Sequence, residues 1–587
     1  MTRSGNIYKN KVLIFSPREE NISTFNENEY RETNVNTYED SLKKGSLYGT
    51  DYTAFREYLG IGSISSILRK NGYDVKILIG IGLTDEEIFN EIIAFCPDYF
   101  LVSIIYDLQL LNAMMMIWKT NEKLNAISIV GGALVSLCAE TLVGKFREID
   151  FAIRGEGEIA ILELLESLRL EEDYRLINNL VYVNHNNECV SNTIKVCNDL
   201  DMLPFANRDV LQKLKESNLP IKSAYLYTSR GCHGTCTFCS VPKMNSGQAT
   251  KWRGRSVVNI VDEIQYLHCE YRVSFFYLTD DNFMGDDSEL GNERLKSLAR
   301  EIIRRGLKIQ FHAECRVSPI NEELLILLKK AGLSQLLFGI ESGSNKTLRR
   351  WGKCQTVAQN EYAINIGRKL GFDVIPSMIL LDWESSYEEL IETVEFIERN
   401  KIYDIQYPLS LVNKLHILRG TSAAKRYDLI NGTRKDFPVK SLDDLRNWVY
   451  HNMYYDVEIK DYRVKFFWDI LLAVSNYWSY ISEEVIPREM MIIRKNKHSG
   501  APGHDFMRSA RRWRNDLGVN LMKLMRSILQ TINENINVED LDRGIFENTY
   551  KIGVLIINEY FDTGAIFAKH KENINNAPNF DPKVLLK

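Results

Sequence analysis

The chain has 587 residues, 45% of them hydrophobic and 26% charged, with a formal net charge of −5. That length overfills a single core, so about two to four globular domains are expected. The mildly acidic balance excludes an overall attraction to nucleic acid or anionic lipid.

Residues 1–11 are polar and basic, and the apolar run at 12–15 is too short for a signal core, so no export signal is expected. Ten cysteines in such a chain are not a disulfide framework. In a reducing cytoplasm, the expected location, clustered cysteines point to metal binding or catalysis.

From residue 11 onward strand and helix patterns alternate. Apolar runs at 11–16, 75–79, 99–105, 127–130 and 151–153 predict five strands. Between them, 60–70 carries Ile61, Ile64, Ile67 and Leu68 on one helical face and stops at Asn71-Gly72. Thr84 and Glu87 are spaced for a capping box ahead of the next helix. The longest apolar stretch, 99–118, holds Asp107, Gln109 and Asn112, which predicts a buried strand running into a helix and no membrane span.

Five strands with intervening helices predict a doubly wound parallel sheet, whose ligands sit at the carboxyl ends of the strands. Ser16-Pro17, Ser103, Gly131-Gly132 and Arg154-Gly155-Glu156-Gly157-Glu158 mark those ends. Residues 176–192 predict a β-hairpin turning at 184–188, and 199–209 a polar linker containing Pro204. Six further strands are expected near 223–228, 273–279, 308–313, 335–341, 373–381 and 404–412. Six strand–helix units predict a partial barrel. Beyond about residue 421 the pattern is helical to the end.

The strongest chemical signal is Gly231-Cys232-His233-Gly234-Thr235-Cys236-Thr237-Phe238-Cys239. Three thiolates spaced C-x3-C-x2-C on one loop suit three irons of a four-iron four-sulfur cluster. The competing reading is a structural zinc site completed by His233 or a distant cysteine. Zinc sites usually come as two separated pairs, and no second C-x2-C pair exists here.

This loop, with aromatic Phe238 before its last cysteine, resembles the signature of the radical S-adenosylmethionine (SAM) superfamily. The resemblance implies a cluster on Cys232, Cys236 and Cys239 whose fourth iron is open for SAM. Thr279-Asp280-Asp281-Asn282-Phe283 and Gly339-Ile340-Glu341-Ser342-Gly343 are similar to the strand ends that meet SAM in this family. The implied SAM contacts are Phe238, Asp280, Asp281, Asn282 and Glu341; for an isolated carboxylate a solvated surface charge is the commoner outcome. The N-terminal half resembles the cobalamin-binding domain that precedes the barrel in one branch. It does so through Leu59-Gly60, Gly72-Tyr73-Asp74-Val75, Ser103, Val130-Gly131-Gly132, the Arg154–Glu158 run and the linker Asp201-Met202-Leu203-Pro204-Phe205. The implied cobalamin contacts are Ser16, Pro17, Ser103, Gly131, Gly132, Arg154, Gly155, Glu156 and Gly157.

Two departures matter. No histidine precedes His185, so the Asp-x-His-x-x-Gly loop of many cobalamin proteins is missing. This predicts base-off cobalamin with no histidine ligand from the N-terminal domain. The fifth barrel strand leads into Leu380-Leu381-Asp382-Trp383-Glu384-Ser385 instead of the family's Gly/Pro-rich turn. Trp383 there is a candidate for a substrate pocket, with a core position the commoner fate of a tryptophan. Among the other cysteines, Cys315 is expected at a strand end facing the site, and Cys354 is likewise notable.

The expected architecture is a cobalamin-binding α/β domain over 1–200, a radical SAM partial (β/α)6 barrel over 210–425, and a helical domain over 426–587 expected to cover substrate. The basic run Arg488, Arg494, Lys495, Lys497, Arg508, Arg511, Arg512 and Arg514, broken by Ser499–Gly503, reads as a solvated helix face with a loop, or as an anion-recognising surface. The function implied by the resemblance is C-methylation of an unactivated carbon through a 5′-deoxyadenosyl radical and methylcobalamin. A non-methylating rearrangement, ring contraction or cyclisation is the alternative, and a cobalamin sensor with an inactive barrel a third. The expected partners are a small-molecule or peptide substrate and an external electron donor such as flavodoxin or ferredoxin, with no nucleic acid.

Overall fold

The computed structural model describes residues 10–19, 57–218, 221–244, 251–285, 289–317, 320–404, 411–431, 437–453, 455, 457–482, 486, 502–535 and 543–559. The first lobe contains β1 (Lys11–Ser16), α1 (Leu59–Lys70), β2 (Asp74–Ile79), α2 (Asp85–Phe95), β3 (Tyr99–Ser103), α3 (Leu110–Lys123), β4 (Ile127–Gly131), α4 (Ala133–Lys145), β5 (Phe151–Ile153), α5 (Glu158–Leu170), β6 (Leu180–Val183) and β7 (Cys189–Ser191). The strand order is β2-β1-β3-β4-β5-β6-β7.

β1 to β5 pair in parallel, and β1 is buried almost throughout because helices cover both faces of the sheet. One face packs on α1 and α5 through Ile61, Leu68, Ile161 and Leu164. The other packs on α2, α3 and α4 through Ile88, Ile117 and Leu142. The Thr84–Glu87 capping box forms in both directions: Thr84 Oγ1 accepts from Glu87 N at 3.2 Å, and Glu87 Oε2 accepts from Thr84 N at 2.8 Å. The hairpin β6–β7 adds to the edge of the sheet, with β6 antiparallel to β5.

Directly after the linker, Asp209–Glu216 forms α6. The second lobe follows with β8 (Ser223–Leu226), β9 (Ser229–Gly231), α7 (Val241–Met244), β10 (Trp252–Gly254), α8 (Val257–Tyr271), β11 (Phe275–Leu278), α9 (Glu289–Arg304), β12 (Gln310–Cys315), α10 (Glu322–Lys330), β13 (Leu333–Glu341), α11 (Asn345–Arg350), α12 (Val357–Lys369), β14 (Asp373–Met378) and α13 (Tyr387–Arg399). Its five-stranded sheet, ordered β14-β13-β12-β11-β8, is parallel throughout. The expected sixth strand falls mostly at 405–410, outside the described residues. A parallel bridge from Leu381 to Lys414 continues the pairing beyond β14. β9 and β10 form a separate antiparallel ribbon.

The two lobes are joined by a buried ion network. Arg208 of the linker, its side chain 4% exposed, pairs with Glu57 at 2.9 Å and Glu263 at 2.8 Å. Arg255 pairs with the same Glu263 at 2.6 Å. Each charge here has lost its water, so removing one partner leaves another uncompensated.

The C-terminal part is helical, as expected, and its helices pack on both lobes. α14 (Ser422–Asn431) begins beside the Cys232–Cys239 loop, where Ala423 N donates to Thr237 O at 2.8 Å. α15 (Leu442–Asn452) completes the core of the first lobe, with Trp448 meeting Phe146 edge-to-face at 5.1 Å. α16 (Tyr462–Tyr480), α17 (Pro502–Glu534) and α18 (Arg543–Ile557) share the core of the second lobe. They pack outside the barrel against α13, where the Tyr387 hydroxyl donates to Leu529 O at 3.2 Å. Described residues 422–559 therefore supply pieces to two existing cores. Arg508, Arg511, Arg512 and Arg514 lie on α17; Arg488, Arg494, Lys495, Lys497 and most of 499–503 lie outside the described residues.

Candidate functional site

A cavity of ≈ 460 Å³ opens between the carboxyl ends of the two sheets, a size usual for small-molecule sites. The first lobe contributes Ser103, Gly131, Gly132, Gly155, Glu156, Gly157 and Glu158. Ser103 and Gly131 are register partners at the ends of β3 and β4. Gly132 has φ +107, and a Cβ there would lie 2.5 Å from Ile104 O. A Cβ at Gly131 would meet only Ile153 O, at 3.8 Å, so a side chain there would project into the cavity.

Three expected contacts on this side lie elsewhere. The Ser16 hydroxyl is buried, and Pro17 O accepts from Gln109 Nε2 at 3.1 Å. Arg18 seals that strand end with Asp85 at 2.8 Å. Arg154 turns away to Glu140 at 2.7 Å and to Asn192 O at 2.6 Å.

The barrel contributes Tyr227, Ser229, Arg230, Gly231, Ser240, Val241, Met244, Arg253, Thr279 and Asp281. Gly231 and Ser240 bracket the cysteine loop, so the loop's two ends face the cavity. Cys232, Cys236 and Cys239 are each half-buried. Burial pushes the Cys239 thiol up to about 11 and raises Cys236 also, although Lys353 and Arg316 pull Cys236 the other way. The loop is braced from outside. Thr237 N donates to Trp351 O at 2.9 Å, and Phe238 meets the Trp351 ring edge-to-face at 5.8 Å. Gly234 leaves room for Arg316, whose Nη1 would sit 2.0 Å from a Cβ at that position.

Of the five expected SAM contacts, Asp281 lines the cavity. Its carboxylate accepts from Gly231 N at 2.9 Å, and burial raises its pKa. Asp280 points the other way, accepting from Thr228 N and Oγ1 at 3.0 Å and from Ser229 Oγ. Burial pushes Asp280 up to about 6, against the pull of those hydrogen bonds and of Arg294. Asn282 is a buried turn residue, donating to Gly285 O at 2.5 Å and accepting from Arg316 N at 3.1 Å. Glu341, at φ +65, pairs with buried Lys353 at 2.8 Å. Phe238 packs with Trp351 and Trp383 in a small core. Trp383 is thus a core residue, and so is Cys315, whose thiol burial pushes far up.

Sequence reasoning missed the ion pairs that cross the cavity. Arg230 pairs with Glu158 at 2.6 Å and Arg253 with Glu156 at 2.7 Å. Burial alone would raise the Glu158 pKa; Arg230 outweighs it, and the net shift is down. Glu156 Oε2 also accepts from Cys197 N at 2.7 Å, tying the linker to the same point.

The residues fit the groups that the family resemblance implies. Three soft sulfur donors stand on one loop whose ends, Gly231 and Ser240, line the cavity together with a glycine-rich cradle, although among the described residues no three His, Cys, Asp or Glu side chains converge to hold a single metal ion. No histidine is among the described lining residues.

Residues 51–165 match the B12 binding domain, and residues 226–397 match the Radical SAM superfamily. An uncharacterized methyltransferase of Pyrococcus horikoshii is 29% identical over 360 residues, covering 60% of this chain and 75% of that one. The 4′-phospho-dehydrooxetanocin synthase of Priestia megaterium is 26% identical, covering 58% of this chain and 48% of its own length. Among solved structures, OxsB, a cobalamin-dependent S-adenosylmethionine radical enzyme, superposes with TM-score 0.67 at 18% identity, over 98% of this chain and 82% of that one. The methyltransferase TsrM from Kitasatospora setae gives 0.54 at 15%, over 76% and 82%. With a B12-binding lobe, a radical SAM lobe and one cavity between their carboxyl ends, the chain belongs to the cobalamin-dependent radical SAM enzymes, whose cofactors are a four-iron four-sulfur cluster, S-adenosylmethionine and cobalamin.

Proposed function

We propose that this enzyme methylates a carbon of a small-molecule or peptide substrate, in the cytoplasm, with electrons from an external donor protein. The observation that carries this reading is the single cavity shared by the glycine cradle of one lobe and the cysteine loop of the other. Its groups, when bound, supply one electron to SAM, a 5′-deoxyadenosyl radical and a transferable methyl.

The chain's own residues hold and orient. Cys232, Cys236 and Cys239 hold the cluster. Asp281 fixes the Gly231 amide beside it, and the Glu341–Lys353 pair keeps a buried charge at the end of β13. Gly131, Gly132, Gly155 and Gly157 would let the backbone approach cobalamin closely, and no histidine is among the described lining residues. Arg230 and Arg253, each tied to a glutamate of the opposite lobe, keep the walls in register around the substrate. No side chain has to act as a base for hydrogen abstraction by a radical.

Anaerobic reconstitution with iron, sulfide and hydroxocobalamin, then reduction and addition of SAM, tests the reading. 5′-Deoxyadenosine and S-adenosylhomocysteine are both expected. Cys232→Ala, Cys236→Ala and Cys239→Ala should abolish deoxyadenosine while retaining bound corrinoid. A wild type that binds no iron and cleaves no SAM sinks the proposal.

A second reading is favoured by relatives with other names, including the Priestia megaterium synthase and an anaerobic magnesium-protoporphyrin IX monomethyl ester cyclase of Synechocystis. It is a radical rearrangement or cyclisation in the same cavity. Product mass separates the two, since methylation adds one methylene equivalent.

A further inference from the structure

The cysteine loop has two faces. Its ends, Gly231 and Ser240, line the cavity, whereas His233 and Thr235 in its middle are exposed to solvent and line no described part of it. Two segments press on that middle from outside. Gly352 O accepts from Thr235 Oγ1 at 3.4 Å, next to the Trp351 contact with Thr237. On the other side Thr237 O accepts from Ala423 N, at the start of α14. Cys236 lies beneath, its sulfur 3.9 Å from Arg316 Nη1.

Both segments carry cations outward. Arg349 lies two residues before Trp351 and Lys425 two after Ala423; both are exposed, and neither makes an ion pair among the described residues. Lys346 is 68% exposed, 3.9 Å from the buried Glu389. Arg426 and Lys460 share one carboxylate, Glu384, which is 16% exposed. Asp428, the acidic residue of α14, accepts from the Tyr455 hydroxyl at 3.2 Å.

Resting on the proposed function, we infer that the face carrying Arg349 and Lys425 is the docking surface for an acidic one-electron carrier protein. The cavity face of the loop is committed to SAM and cobalamin, so a protein-sized donor reaches the cluster from the exposed middle. Electron transfer falls steeply with distance, and exposed Thr235 is the chain neighbour of Cys236. One electron leaves the carrier, which is oxidised, and enters the cluster, which is reduced; no bond is made or broken. Basic side chains at the rim set the association rate and its salt dependence.

The test uses the full-length reconstituted enzyme and reduced flavodoxin as the probe. Cluster reduction is followed by anaerobic stopped flow, and SAM cleavage by 5′-deoxyadenosine. With Arg349→Glu and Lys425→Glu combined, the bimolecular rate should fall about tenfold at low ionic strength, with the gap closing at high salt. Arg349→Gln with Lys425→Gln should give a smaller drop in the same direction. Reduction by photoreduced deazaflavin, a small uncharged donor, should be unchanged, which also reports an intact fold and cluster. An unchanged flavodoxin rate overturns the inference, as does a wild type that flavodoxin does not reduce, or an equal loss with deazaflavin. A wild type that cleaves no SAM with deazaflavin fails the proposed function itself.

Discussion

On the first-lobe side the cavity meets turns of Gly131, Gly132, Gly155 and Gly157 with apolar strand ends such as Ile14, Leu101 and Ile129 behind them. On the barrel side it meets Arg230, Arg253, Asp281 and the two ends of the cysteine loop, Gly231 and Ser240. Apart from Glu156 and Glu158, whose carboxylates are held by Arg253 and Arg230, the first wall offers backbone and empty volume, suited to a large preformed ligand that brings its own chemistry. The second offers charge and soft donors, suited to groups assembled in place. Evolution of substrate preference can therefore work on barrel side chains, while the glycine wall tolerates little change because each added atom occupies ligand space.

The joint between the walls gives the largest expected effect. Arg208→Ala leaves Glu57 and Glu263 buried and short of a partner, which should cost about 3–5 kcal/mol in urea unfolding. If the walls depend on that joint, corrinoid and iron content fall together; if only one falls, the lobes are more independent than their shared network implies.

Asp280 gives the next effect, confined to the charged wall. Its pKa is about 6 in the fold against about 3.9 unfolded. The native state thus binds the extra proton, so the stability this group contributes is full below pH ~4 and is lost as pH rises through ~6. The change is about 3 kcal/mol, on the order expected for such a shift. Asp280→Asn should flatten the unfolding free energy between those pH values, and an unchanged slope would show that another group titrates there.

Gly132→Ala attacks the other wall. Forcing a side chain into φ +107 against Ile104 O should cost about 1–3 kcal/mol. Bound corrinoid per protein should drop while iron stays at the wild-type level. Equal loss of both would break the division between the walls.

Much of this was legible in the sequence because it is local. The five parallel strands of the first lobe, the Thr84–Glu87 box and the turn of the 180–191 hairpin are fixed by neighbours within a few positions. The cysteine loop after β8 was equally plain. The pairing of that hairpin with β5 was not, since it joins Phe151 to Tyr182 across 31 positions with no marker in either segment. Asp280 and Asp281 show the limit within the site. They are adjacent, and in extended chain adjacent side chains face opposite ways, so the motif named both while geometry sends one to the cavity and the other to Thr228 and Ser229. Arg230–Glu158 and Arg253–Glu156 were hidden for another reason: their partners lie 72 and 97 positions apart, in different lobes. Pro17 and Arg154 occupy the expected strand ends but are taken by Gln109, Glu140 and Asn192 O, and the Ser16 hydroxyl is buried away from the cavity.

The helix that completes the first lobe sets a schedule for the ribosome. Leu445, Trp448, Val449 and Met453 belong to a core whose other buried members are all made by residue 181. The Lys145 ammonium donates to Phe437 O from 292 positions away, and Gly420 presses on the Leu137 backbone. At about 5–20 residues per second of synthesis, the nascent first lobe waits roughly 15–60 s with that apolar groove uncovered. Over that interval the groove is a surface for a chaperone to occupy.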